Sequence, residues 1–167
     1  MFDVVIPMHK KDLEVFHICV NRCRTYISGL NIIYVVTNEE NFPTDDELND
    51  DIERKVIWVS EENFPFSKKI IEEYGFTYKT GWYFQQLIKL YAVNVIPNIL
   101  ENVLVVDADT IFLNSVNFFE KSIPLYSYGE EYFEPYFDHM KEVLPDLEKM
   151  DLKKSGICHH MVFQKHI

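Results

Sequence analysis

What most constrains the fold of this chain is a set of short, almost unbroken apolar runs rich in β-branched residues: Val4-Val5-Ile6, Ile32-Ile33-Tyr34-Val35-Val36, Val56-Ile57-Trp58-Val59 and Val103-Leu104-Val105-Val106. A strand with one wet face alternates apolar and polar side chains; these do not, so both faces of each strand are covered. Between the first two runs, Leu13, Phe16, Val20, Cys23 and Ile27 keep helical spacing, with Asp12 placed to cap the helix and Gly29 to stop it. A second stripe, Phe84, Leu87, Ile88, Tyr91 and Val95, predicts a helix from Trp82 to Val95 that ends before Pro97. Strands buried on both faces and alternating with helices predict an α/β fold whose central, mostly parallel sheet is flanked by helices.

The remaining segments are shorter. A helix is expected around Lys69 to Tyr74, extended chain at Ile111-Phe112-Leu113, and a strand at Leu125 to Tyr128. Pro135 opens a helix with apolar Tyr136, Phe137, Met140, Val143 and Leu144, Pro145 closes it, and Ile157 to Phe163 reads as a last strand. The acidic stretch Thr44 to Asp51 lacks the alternating ligands, central glycine and closing glutamate of an EF-hand, so it reads as a solvated loop. No internal repeat interrupts the pattern, and 167 residues with 15% aromatic content can build a sizeable core without disulfides; a single unit over 1–167 is expected.

Charge narrows the function. With 16 basic against 27 acidic side chains the net charge is −11, a field that repels polyanions and speaks against a nucleic-acid partner. An anionic ligand such as a nucleotide then needs a divalent cation or a few local bases to bridge it to the protein. Cys19, Cys23 and Cys158 form no even framework and read as reduced thiols, while the amino end has no basic and apolar leader and no later run approaches a membrane span. A soluble, cytoplasmic protein with no transmembrane segment is the expectation.

Asp107-Ala108-Asp109 follows the strand 103–106 directly. Two carboxylates at the carboxyl end of a buried strand lie where open α/β sheets bind ligands, and hard oxygens suit Mg²⁺ or Mn²⁺, which leave positions for substrate phosphates. On the motif and its strand alone, turn carboxylates that merely end and solvate the strand are the plainer reading. On the predicted helix, Trp82, Gln86 and Lys89 at i, i+4 and i+7 share a face apart from the Leu87-Ile88-Tyr91 stripe. An amide, an ammonium and an indole there can serve sugar hydroxyls, a phosphate and an apolar ring face; a solvated helix face with Trp82 packed at its start accounts for them equally. His159 and His160 are adjacent on a predicted strand and point to opposite faces, so at most one can join Asp109. We carry His159 as a third metal ligand and His160 as a base for an acceptor hydroxyl, against packed, hydrogen-bonded histidines. Cys158 beside them has no second cysteine pair nearby, which makes zinc a poor fit.

Four segments together resemble nucleotide-sugar-dependent glycosyltransferases of the Rossmann-like GT-A fold, in particular a group of small, poorly characterised bacterial and viral-type members: Asp3-Val4-Val5-Ile6-Pro7 with Lys10-Lys11-Asp12; Gly81 to Leu90; Leu104 to Thr110; and Cys158 to Phe163. The resemblance implies roles. Asp109 is the main metal ligand and a catalytic residue, and Asp107 binds ribose or donor sugar and a metal-bound water. Pro7 starts the loop that cradles the base, and Lys10 approaches ribose or phosphate. The reaction implied is transfer of a sugar from a UDP- or GDP-sugar to an acceptor hydroxyl on a glycan, lipid or protein, with Mn²⁺ or Mg²⁺ stabilising the leaving nucleotide.

The sequence departs from that pattern in its length. GT-A catalytic domains are generally longer, so the region that builds the acceptor site is short here, and no acidic base stands at the usual late position. A non-catalytic GT-A-like binding module or fragment is therefore the alternative. A Mg²⁺-dependent phosphohydrolase of the haloacid dehalogenase type also places DxD after a strand, with the first aspartate as nucleophile. Ile111 stands where those motifs carry Thr or Val, and no acidic pair ends a later strand.

Overall fold

A five-stranded sheet in the order β3-β2-β1-β4-β7 organises the computed structural model, which describes residues 1–44, 55–148 and 154–166. In chain order the elements are β1 (Phe2–Pro7), α1 (Leu13–Tyr26), β2 (Leu30–Thr37), β3 (Val56–Ser60), α2 (Lys68–Glu73), α3 (Thr80–Val95), β4 (Asn102–Val106), β5 (Phe119–Glu120), β6 (Ile123–Pro124), α4 (Glu134–Val143) and β7 (His160–Gln164). β1, β2, β3 and β4 run parallel, and β7 closes the edge antiparallel to β4, with Val105 opposite Met161 and Val106 opposite His160. The acidic stretch from Asp45 to Asp51 lies outside the described residues.

The unbroken apolar runs are covered on both sides, as their composition requires. Phe16, Cys19, Val20 and Cys23 of α1 pack on one face, against Val4, Ile6, Leu104, Val106 and Val162. Phe84, Ile88, Ala92 and Val93 of α3, with Ile71 of α2, cover the other, against Val5, Val36, Val103 and Val105. Period-two alternation sorts β4 and β7 the same way: Leu104, Val106 and Val162 face α1, whereas Val103, Val105 and Phe163 face α3.

Asp3 sits inside this frame as a staple. Its Oδ1 accepts from the Asn31 amide at 3.0 Å and the Ile32 N–H at 3.1 Å, and its Oδ2 accepts from the Leu100 N–H at 2.8 Å, so one buried carboxylate joins the starts of β1, β2 and β4. Its place in the amino-terminal segment is structural.

Several sequence expectations are corrected. Asp12 precedes α1 without a side-chain cap; His9 does the local capping, its Nδ1 accepting from the Lys11 N–H at 3.3 Å. The first helix stops at Tyr26, before Gly29, which takes a left-handed φ of 81° on the way into β2. Ile111 to Leu113, expected only as extended chain, joins no strand, and Phe112 turns into the α1-side core. Leu125 to Tyr128 forms none either; the small hairpin lies just upstream, with Phe119 paired to Pro124 and the turn residue Lys121 at a φ of 58°. The last strand starts at His160, so Ile157 to His159 leads into it as loop.

Candidate active site

The chemistry-bearing residues gather at the carboxyl end of β4, where a parallel sheet opens. Asp107 continues the α3-facing register of Val103 and Val105, so its carboxylate turns toward α3 and meets Lys89: Nζ contacts Oδ1 as an ion pair. No donor among the described residues is aligned to hydrogen-bond that buried Oδ1, so the contact is one of charge. On the other side His159 Nδ1 lies 3.3 Å from Asp107 Oδ2. The backbone locks the same corner, with the Asp107 N–H donating to the His159 carbonyl at 2.9 Å and the Thr110 N–H to the Asp107 carbonyl at 3.0 Å. Asp109, one residue beyond the buried Ala108, is exposed, and no ion pair or hydrogen bond holds its side chain among the described residues.

These residues share a cleft of about 1070 Å³. Trp82, Gln86 and Lys89 of α3 line one wall together with Lys79, which enters the helix in a left-handed conformation at a φ of 62°. Lys11 and Asp12 come from the turn before α1, and Asp107, Asp109, Cys158 and His159 form the floor. The three-residue grouping expected on the helix face, the aspartate pair and His159 thus meet in one place.

Three of the expected residues do not line this cleft. His160 follows the alternation of Val162 onto the α1 side, where its ring lies 5.8 Å from Phe112 and 5.3 Å from Phe118 and its Nε2 is 2.8 Å from Ser127 Oγ. Burial there holds its pKa below the usual histidine value, with the neighbouring His159 charge acting in the same direction and Asp107 against it. On that face the ring packs with Phe112 and Phe118 and does not line the large cleft. Pro7 is buried as the last residue of β1 and lines no part of the cleft. Lys10 is exposed outside it, and the next residue, Lys11, takes the place expected of Lys10. A 3-10 turn at Lys10–Asp12 rotates each successive side chain by about a third of a turn, so one residue decides which lysine faces inward.

Cys158 is a thiol here: burial raises its pKa first, and the Sγ–H donates to the His160 carbonyl at 2.9 Å. It stabilises the loop and offers no thiolate to a soft metal. Any donor set for Mg²⁺ or Mn²⁺ would be the two aspartates, with His159 at hand. No group of three or more His, Cys, Asp or Glu side chains converges among the described residues. A hard cation there would be held by one or two carboxylates and completed by phosphate oxygens and water, Asp109 being the carboxylate that no described side chain engages.

Sequence reasoning missed the far wall, built by Glu131, Tyr132, Phe133 and Tyr136. It also missed Gly129, which bridges to Ser155 with N–H···O distances of 2.9 Å in both directions. A Cβ at Gly129 would stand 2.6 Å from the Ile157 carbonyl oxygen, so only glycine lets these two loops close the cleft at that corner. The aromatic stripe of α4 was legible as apolar helix periodicity, which points to a core face; the structure leaves it exposed.

Comparison with known proteins adds the following. The sequence model of a family of unknown function, DUF6492, matches residues 2–125. No curated protein matches the chain in sequence. Among solved structures, the crystal structure of mouse xyloside xylosyltransferase 1 in its apo form superposes with a TM-score of 0.53 at 11% identity, covering 99% of this chain and 67% of that one. At that identity the likeness concerns the fold: a central, mostly parallel Rossmann-like sheet flanked by helices, shared with a glycosyltransferase. No described helix is long and apolar enough to cross a membrane.

Proposed function

We propose that this chain, which belongs to the DUF6492 family of unknown function, is a metal-dependent glycosyltransferase that moves a sugar from a UDP- or GDP-sugar to an acceptor hydroxyl, residues 1–167 acting as one nucleotide-sugar-binding unit. The observation that carries the reading is the convergence of Asp107, Asp109, His159, Lys89, Gln86 and Trp82 on one cleft at the carboxyl end of the parallel strands. The fold shared with a xylosyltransferase supports it. A reducing compartment, the cytoplasm, belongs to the same proposal, with Cys19, Cys23 and Cys158 kept as thiols.

Asp109 and Asp107 would hold Mn²⁺ or Mg²⁺, with His159 as the nitrogen donor, and the ion when bound would supply the positive charge that a departing diphosphate requires. The chain's own groups do the rest. Lys89 neutralises Asp107 in the free protein and is placed to shift its ammonium toward a phosphate oxygen once the donor arrives. Lys11 and Lys79 add positive charge at the cleft walls of a protein whose net charge is −11, which is where an anionic ligand needs it. Gln86 offers both an amide donor and an acceptor to sugar hydroxyls, and the indole of Trp82, 43% exposed, presents a face for a base or sugar ring.

Calorimetric titration of UDP, GDP and their sugars, with and without Mn²⁺, on the wild type and on Asp109→Ala tests the reading. Metal-dependent binding that disappears in the variant is expected, followed by sugar transfer or slow donor hydrolysis. A folded protein that binds none of them under any condition overturns it.

A further inference from the structure

The cleft is lined by two chemically different sets of residues, and the proposed donor site uses Asp107, Asp109, His159, Lys89, Gln86 and Trp82 but not the rest. The other wall is aromatic: Tyr132, Phe133 and Tyr136 line it, 55%, 52% and 48% exposed. Folding does not account for them. Among the described residues, neither core contains any side chain between Glu120 and His160, and α4 buries none of its residues. Half-exposed aromatic side chains in a cleft, left out of both cores, mark a surface for a ligand.

The rings are held in place by one another. Tyr132 stacks on Phe137 with centroids 5.0 Å apart and planes 14° from parallel, and Phe133 meets Tyr136 edge to face at 4.8 Å. Preformed pairs of this kind offer rigid apolar area at little entropic cost. Glu131 stands beside them and Asp12 shares the cleft, both acceptors, while the three rings and Glu131 carry no positive charge. An anionic ligand is repelled from this wall by Glu131 and by the overall charge of −11. What satisfies both features is a molecule with apolar C–H faces and a fringe of hydroxyl donors.

We infer that the wall of Tyr132, Phe133 and Tyr136 is the acceptor subsite, and that it takes a neutral saccharide whose ring faces stack on these side chains and whose hydroxyls donate to Glu131 and Asp12. The inference rests on the transferase reading above and names its acceptor class. The second glycosidic partner then enters the cleft from the α4 side, opposite Trp82, with its hydroxyl directed toward Asp109 and His159.

The test separates the two claims. Saturation-transfer NMR and titration with maltotriose, cellotriose and xylotriose are run on the wild type and on the double variant Phe133→Ala/Tyr136→Ala, alongside the nucleotide titrations. At least one trisaccharide is expected to bind the wild type without any nucleotide, with saturation reaching its C–H protons, and about tenfold or more weaker in the double variant. UDP or GDP binding should be the same in both. If none of the three binds the wild type, or the double variant binds equally well, the acceptor inference falls, whatever the nucleotide data say. If a trisaccharide binds through the rings and no nucleotide binds at all, the donor reading falls and the saccharide wall stands. Ring-dependent sedimentation with phosphatidylcholine vesicles in the absence of saccharide binding would assign the wall to a lipid surface and overturn the inference. Should the double variant lose its circular dichroism, Tyr136→Leu, which removes the ring and keeps the bulk, carries the same comparison.

Discussion

Two faces of the same sheet edge, separated by one residue of register, behave as different molecules. On the α3 face, Asp107 and His159 approach each other at 3.3 Å with Lys89 closing on the carboxylate, around an open cleft. On the α1 face, His160 packs against the contacting pair Phe112 and Phe118, with Ser127 as its partner. The residue types are alike, and alternation decides which is exposed in the cleft and which packs, half-buried, against core rings. A histidine next to a carboxylate is chemistry on one face and packing on the other.

The largest effect expected from breaking this division is on the open side. Asp109→Ala leaves both cores untouched, so the melting temperature should stay within a few degrees of wild type, while donor-dependent turnover falls by about a hundredfold or more. A radiolabelled donor assay beside a thermal melt reads both. A variant that melts early and keeps its activity would reverse the assignment of faces.

On the closed side the opposite pattern is expected. His160→Ala removes ring contacts and leaves Ser127 Oγ without its partner, at a cost of about 1–3 kcal/mol in urea unfolding. Nucleotide affinity should not change. If His160→Ala unfolds as the wild type does and abolishes transfer, the ring belongs to the site after all.

Lys89→Met sharpens the comparison within the open face. The variant keeps the stem that packs along α3 and removes the ammonium, leaving Asp107 with His159 alone. Donor binding should weaken roughly tenfold, through loss of a charge-assisted phosphate contact, and should become steeper in its dependence on Mn²⁺. Equal affinity in the variant would mean that Lys89 serves only to neutralise Asp107.

How much of this was legible in the sequence depends on what fixed each feature. The strands β1 to β4 and the helices α1 and α3 were, because continuous β-branched runs and helical stripes are local consequences of burial on two sides. That Trp82, Gln86 and Lys89 share one helix face was legible too, since a helix face is set by short-range geometry, whereas its placement beside the aspartates came from the family resemblance. The choice between His159 and His160 was not, because it needs the absolute phase of β7 against β4, a long-range register. The exchange of Lys10 for Lys11 has the same origin at the scale of a single 3-10 turn. α4 misled for a different reason: an aromatic stripe at helical spacing looks the same whether it meets a core or a cleft, and only its lack of buried residues tells the two apart.

The smallest expected effect is a pH dependence that distinguishes the two histidines in protein freed of metal by a chelator. His160 is held below the ordinary histidine value of 6.5, chiefly because its site on the α1 face disfavours the charged ring. The unfolded chain therefore binds a proton at a higher pH than the folded one does, and stability rises with pH across that interval. The contribution is fully present above the unfolded value and is lost as the pH falls through the lower, folded one. Urea midpoints taken across this range should fall on acidification in the wild type, and more shallowly in His160→Gln, whose side chain can still reach Ser127 and does not titrate. A wild-type slope that survives in His160→Gln and disappears in His159→Gln would place the titrating ring on the open face, and with it the division that the alternation of β7 imposes.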